Sequence, residues 1–313
     1  MAKRARPEEG KRRGARLVTG VLVVALGLGG YAAYRIVSNK LNPPAQCTAT
    51  LAGTGSVNLG LDQADSAATI VAVAQGRSLP KRASIVALAT ARQESKLKNI
   101  PYGDRDSVGL FQQRPSQGWG SVQQIEDPVY AAGSFYSALV KVNGWETLAV
   151  TVAAADVQHP LEEYRGLYAQ WEPMATIIAG ALTGAPGASM TCSAGTDAAK
   201  APVQAVGSDG MTKRASDLGA ALAYGYSGGT HASTSAAPPY THSADGLTVS
   251  LQLSTASAAA QQGYATWAVA RASTLGVDRV QYSDEVWTRA SGKWAKAAAP
   301  LAGTVDITVL KGG

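Results

Sequence analysis

"PKRASIVALATARQES" (residues 80–95) sets how the chain is read. Ile85, Val86, Leu88 and Ala89, followed by Leu97, carry the period of a helix, and Pro80 suits a first helical turn. Val86, Thr90, Glu94 and Leu97 follow one another at spacings of 4, 4 and 3 and so share one face. Glu94 thus continues a buried face near the helix C-terminus. The negative end of the helix dipole and low-dielectric neighbours both raise a carboxylate pKa there. A carboxylic acid that keeps its proton near neutral pH is able to protonate a leaving oxygen. A single helical glutamate is ordinarily a solvated surface group, so the surroundings must decide.

Working outward, the neighbouring stretches are also helical. "LDQADSAATIVAVAQGR" (61–77) has Asp62 or Asp65 as its expected N-cap, and "EDPVYAAGSFYSALVKV" (126–142) has Asp127 as cap with Pro128 at the first helical position. "WETLAVTVAAADVQ" (145–158) and "PLEEYRGLYAQWEPMATIIAGAL" (160–182) bring the set to about five helices joined by short turns. The expectation is an all-α domain over 60–184, between a linker at 38–59 and a Gly/Ala/Ser-rich linker at 185–210.

Cys47 and Cys192 are the only cysteines in the 313 residues, and they bracket this domain. Two cysteines and three scattered histidines offer no metal-ligand spacing, and no cofactor motif is present. A disulfide is the expected pairing, worth about 4–5 kcal/mol in the chain-entropy account of so long a loop, and it points outside the cytoplasm.

The N-terminus agrees. A basic arm (1–16) precedes "LVTGVLVVALGLGGYAAY" (17–34), an uncharged run about 27 Å long as a helix, against a bilayer core of about 30 Å. Residues 17–37 read as a membrane anchor with the N-terminus inside by the positive-inside rule, or as a cleaved secretory signal. Either way the bulk of the chain is extracytoplasmic. The net charge of +6 belongs to the arm: nine of the 28 basic and two of the 22 acidic residues lie in 1–40, which leaves the rest with 19 against 20. That balance excludes a nucleic-acid partner, whose phosphates need a basic face. One apolar span excludes a transporter.

Beyond Cys192 the chain changes character. A helix around 211–225, a strand in "DGLTVSLQLS" (245–254), a helix over "AAAQQGYATWAVARASTLG" (258–276) ended by Gly276, and strands in "DRVQYSDEVW" (278–287) and "GTVDITVL" (303–310) predict a small α+β domain over 211–313.

After the 80–95 helix come "GDRDSVGLFQQRPSQGWG" (103–120) and its Gly109-Leu110-Phe111-Gln112 segment. Together with Glu94-Ser95, this resembles the lysozyme-like superfamily of soluble lytic transglycosylases and goose-type lysozymes, over about residues 62–183. The 103–120 stretch is similar to a group of secreted actinobacterial wall proteins. The resemblance implies Glu94 as catalytic general acid and peptidoglycan glycan strands as substrate. It implies substrate-facing roles for Ser95 (or a turn-steadying one), Gln112, Gln113 and Trp119 (or a core role), with Tyr164 or Tyr168 facing the glutamate. Asp104 and Asp106 are candidates for a second carboxylate, or loop caps. The family's Ala-Tyr-Asn-Ala-Gly segment is missing, "AAADVQ" (153–158) being the nearest analogue. Hydrolysis and transglycosylation both stay open, as does a non-catalytic wall-binding protein. Residues 211–313 faintly resemble degenerate domains related to zinc D-alanyl-D-alanine carboxypeptidases. Ser250 stands where an aspartate ligand is expected and His242 is one residue out of register, so this part reads as metal-free, with His231 and His242 as loop residues.

Overall fold

The computed structural model describes residues 45–193, 201–229 and 238–312. The chain enters through strands β1 (Gln46–Leu51) and β2 (Gly55–Gly60), then helices α1 (Leu61–Gly76) and α2 (Lys81–Ser95). A loop with one 3-10 turn (Pro115–Gln117) leads to α3 (Val122–Ile125), α4 (Pro128–Leu139) and α5 (Val150–Gln158). A 3-10 segment (Glu162–Trp171), α6 (Glu172–Leu182) and strand β3 (Ala188–Ser193) complete the first half. The second half holds α7 (Lys213–Gly225), β4 (Tyr240–His242), β5 (Thr248–Gln252), α8 (Ala258–Ala270) and α9 (Ala272–Leu275). It ends with β6 (Val277–Tyr282), β7 (Glu285–Thr288), β8 (Lys293–Lys296) and β9 (Thr304–Val309).

This corrects the expected fold class. The protein is mixed α/β, with 43 % helix and 20 % strand in two antiparallel sheets, and its first half is not an all-α lysozyme-like domain. The three-stranded sheet runs β2-β1-β3 and the six-stranded one β4-β5-β9-β6-β7-β8. β1, β2 and β3 lie in the stretches expected to be linkers. The inward positions of β1 and β3 are mostly small: Cys47 and Ala49 on β1 and Ala188, Met190 and Cys192 on β3 alternate with half-buried or exposed Thr and Ser. Period-two burial is present, but with side chains that resemble a flexible linker. Cys47 faces Cys192 directly in the β1–β3 register, and the two form a disulfide across 145 residues of chain. No helix among the described residues is long and apolar enough to cross a membrane. The span expected at 17–37 and His231 lie outside the described residues, whereas His242 ends strand β4 rather than sitting in a loop.

Local chemistry explains most helix ends. Asp127 caps α4, accepting from the amides of Val129 and Tyr130, with Pro128 in the first turn. α1 begins differently from expectation: Gly60 is its N-cap, and Gln63 reaches back to the Gly60 amide at 2.9 Å. Asp65 instead pairs with Arg271 at 3.0 Å, tying α1 to the end of α8. Pro80 is the extended N-cap of α2, one position before the first turn. Burial then continues through both halves in one cluster, from Cys47 and Ala49 through α1, α2, α4 and α6 to Trp267, Trp287 and Ile307. α8 packs on α6 and β3 on one side and on β6 and β9 on the other.

Candidate active site

α2 delivers Glu94 in its last turn. The helix stops at Lys96 and Leu97, both left-handed (φ 60° and 62°), with the amides of Lys96 and Leu97 returning to Arg92 and Ala91. Leu97 is fully buried, and its insertion fixes the turn. Among the described residues seven non-glycine positions have positive φ, and four of them (Lys96, Leu97, Arg105 and Gln112) fall between 96 and 112. Such backbone costs on the order of 1 kcal/mol each and collects at functional sites.

Three hydrogen bonds gather the parts. Ser95 Oγ donates to the Leu110 carbonyl at 2.7 Å, joining the glutamate-serine pair to the Gly-Leu-Phe-Gln segment. Gln158 Nε2, at the end of α5, donates to the Phe111 carbonyl at 2.8 Å. Tyr168, in the 3-10 segment, donates its hydroxyl to Glu94 Oε1 at 2.7 Å. Phe111 anchors the loop by stacking on Phe135 with centroids 4.7 Å apart. Gly109 is required beside it: its φ is +78°, and a Cβ there would meet the Ile125 carbonyl oxygen at 2.6 Å.

Burial raises the Glu94 carboxyl above the usual range, and hydrogen bonds from Tyr168 and Gln158 pull it partly back. Tyr168 is 2 % exposed, and burial beside Glu94 drives its phenol well above the ordinary tyrosine value. The pair is therefore a neutral donor against a carboxyl that keeps its proton to higher pH than a surface glutamate. Gln158 also lines a cleft of about 680 Å³, together with Trp119, Gln117, Lys141, Asp156 and His159. A smaller hollow of about 340 Å³ on residues including Trp119, Tyr130 and Ser134 shares Gln117, Trp119, Ala138 and Lys141 with it.

The other expected residues are placed as follows. Ser95 is buried and holds the turn, its Oγ also accepting from the Lys98 amide at 3.2 Å. Gln112 uses its amide nitrogen on the carbonyls of Tyr102 and Gly109, both at 3.2 Å. Gln113 is 2 % exposed and donates to the Ala131 carbonyl, a placement that leaves it little surface for a ligand. Tyr164 is 50 % exposed, and it is Tyr168 that reaches the glutamate. Hydrogen bonds from the Ser116 side chain, from the Ser116 amide at 2.9 Å and from Arg114 Nε at 2.6 Å hold the Asp106 carboxyl far below the usual range and make it a clamp of the 106–116 loop. The Asp104 side chain is 92 % exposed beside Arg105.

Asp156, Gln158 and His159 are cleft residues that sequence reasoning did not single out. The only signal was their place in "AAADVQ" and just after it. Asp156 is ion-paired with Arg165 of the 3-10 segment, which braces that segment against α5. Among the described residues no group of three or more His, Cys, Asp or Glu is gathered as a metal ion would require. No family model matches the sequence, and no curated protein matches it.

Proposed function

We propose that this chain cleaves the glycan strands of peptidoglycan, with the Glu94 carboxyl as general acid. The observation that carries the reading is the raised Glu94 carboxyl, bonded to Tyr168 and to Gln158, a residue that lines a cleft together with Trp119. Glu94 gives its proton to the glycosidic oxygen as the bond from C1 breaks. General acid help of this kind contributes about 10²–10⁴-fold. Trp119 offers an apolar plate for a sugar ring, and the cleft's carboxylate, amide, ammonium and imidazole suit amides and hydroxyls.

A hydrolase of the paired-carboxylate kind needs a second carboxylate about 5–9.5 Å from the first. Asp106 is committed to its loop, Asp104 stands in solvent and Asp156 is paired with Arg165. These engagements favour transglycosylation, in which the sugar's own C6 hydroxyl attacks C1. The Glu94 carboxylate takes that hydroxyl's proton, and a 1,6-anhydro end results. The disulfide supports an extracytoplasmic setting, and residues 17–37 supply the anchor or the export signal.

The test is incubation of the soluble part (45–313) with purified peptidoglycan beside Glu94→Gln, with products read by mass spectrometry. Anhydro-muropeptides from the parent alone are expected. Reducing ends instead indicate hydrolysis, and no product from folded protein on several wall types sinks the enzyme in favour of a glycan binder.

A further inference from the structure

A second cleft of about 290 Å³ lies away from Glu94, where β3 and α8 meet β6, β7 and β8; Ser189, Gln262, Thr266, Tyr282, Glu285 and Trp294 line it. Its walls are held by bonds to β3: Trp294 Nε1 donates to the Met190 carbonyl at 2.8 Å and Gln262 Nε2 to the Ala188 carbonyl at 2.6 Å. Tyr282 and Trp294 meet edge to face, with centroids 5.4 Å apart at 87°. Thr266 is buried, with its hydroxyl engaged by the Ala181 carbonyl at 2.9 Å. Three polar groups of the lining make no hydrogen bond with other described residues: the Ser189 hydroxyl, the Gln262 Oε1 atom and the Tyr282 phenol.

These contents narrow the ligand. Glu285 already pairs with Lys296 at 2.9 Å, so a second cation gains little there. No basic side chain lines the cleft, which disfavours an anion. A purely apolar ligand would cover the three polar groups and leave them without partners, which is unfavourable. The volume sits at the small end of ligand pockets. A pyranose meets every condition: its C–H face lies on an aromatic ring while its hydroxyls bond the polar groups.

We propose that this cleft binds one neutral sugar ring of a glycan strand, as an anchoring site separate from the Glu94 cleft. Taking the polymer as the source rests on the glycan-cleaving reading; a free sugar has the same chemistry. The site would hold the strand while Glu94 works elsewhere along it.

The test titrates the full chain carrying Glu94→Gln with N-acetylglucosamine and, separately, with soluble peptidoglycan strands, by calorimetry. In that background, Ser189→Leu fills the cleft and is expected to weaken strand binding by at least about tenfold, with Glu285→Gln giving a smaller loss. To cover a variant that folds poorly, the chain is labelled with 5-fluorotryptophan. The Trp294 resonance, assigned with Trp294→Phe, is expected to move on addition of sugar. Saturation by the monosaccharide identifies free sugar as sufficient, and response to strands alone identifies the polymer; either supports the site. Strand binding that ignores both Ser189→Leu and Glu285→Gln, with a stationary Trp294 signal, overturns it. If the parent cleaves wall and this null result holds, only the anchoring site falls. If the parent makes no product while Ser189→Leu still weakens binding, the glycosidase reading falls and the anchoring site stands.

Discussion

The helical half around α2 and the sheet half beyond residue 200 share one core and both hold hydrogen-bonded carboxylates that are lowered, Asp106 among them, but among the described residues only the helical half has an acid that burial raises. In the helical half Glu94 is held half-buried against a buried phenol, and burial raises its carboxyl. In the sheet half the perturbed acids go the other way. Asp209, Asp245 and Asp284 sit at the surface, where hydrogen bonds from Ser216, Ser243 and Lys296 lower them. Hydrogen-bonded surface carboxylates order turns and stay ionised. A partly desolvated carboxyl beside a neutral donor is set up to exchange a proton. The contrast is what the proposed reading builds on, with the acid at the end of α2 and the sheet half as the part that holds the strand.

The largest expected effect tests that contrast at its centre. Glu94→Gln should lower the rate of glycan cleavage by about 10²–10⁴-fold, measured as soluble muropeptide release. The same change should raise the melting temperature at neutral pH. Glu94 holds its proton to higher pH when folded than when unfolded, so the native state binds more protons between the two pKa values. Stability therefore falls as pH rises through that window, and glutamine removes the loss. A Glu94→Gln chain that keeps full activity breaks the comparison outright.

The sheet half should respond in the opposite sense. Trp287 is fully buried, and Trp287→Ala should cost about 3–5 kcal/mol in denaturant unfolding. The pH profile of the protein that remains folded should not move. A displaced pH profile would show that the two halves are not separable in this way.

A smaller effect sharpens the picture. Tyr168→Phe removes a bond that favours the Glu94 carboxylate, so the carboxyl rises further. Activity needs the protonated acid and is lost as pH rises through its pKa. The alkaline limb of the rate profile should therefore shift to higher pH in Tyr168→Phe, and an acidward shift contradicts the assignment. Smallest of all, Asp284→Asn should leave both activity and melting temperature unchanged within error, because its pair with Lys296 is solvent-exposed.

Legibility followed the size of the side chains. α2, α4, α7 and α8 and strands β5 and β9 were readable because their apolar positions recur at the helical or strand period, with Asp127 and Pro128 marking the start of α4 and Gly276 the end of α9. β1, β2 and β3 were not. The buried positions of β1 and β3 are alanine, cysteine and one methionine, β2 buries Leu59 alone, and β1 finds β3 only after 145 residues, a pairing no local window contains. At the site, the Glu94-Ser95 and Gly-Leu-Phe-Gln stretches were legible as motifs, and the Ser95–Leu110 bond is what joins them. Asp106 stayed open between a second carboxylate and a loop cap because composition does not tell whether a loop aspartate faces a cleft or a backbone amide; its bonds to Arg114 and Ser116 make it the cap. Gln158 and Asp156 escaped because their side chains meet the site only through tertiary packing, Gln158 on the Phe111 carbonyl and Asp156 on Arg165 of the 3-10 segment.

The most direct measurement is a carbon NMR titration of the Glu94 carboxyl in the folded chain, assigned with Glu94→Gln. The expected midpoint lies clearly above the ordinary glutamate value of about 4.3 and moves higher still in Tyr168→Phe. A midpoint at or below that value would contradict the claim that burial at the end of α2 raises the Glu94 carboxyl.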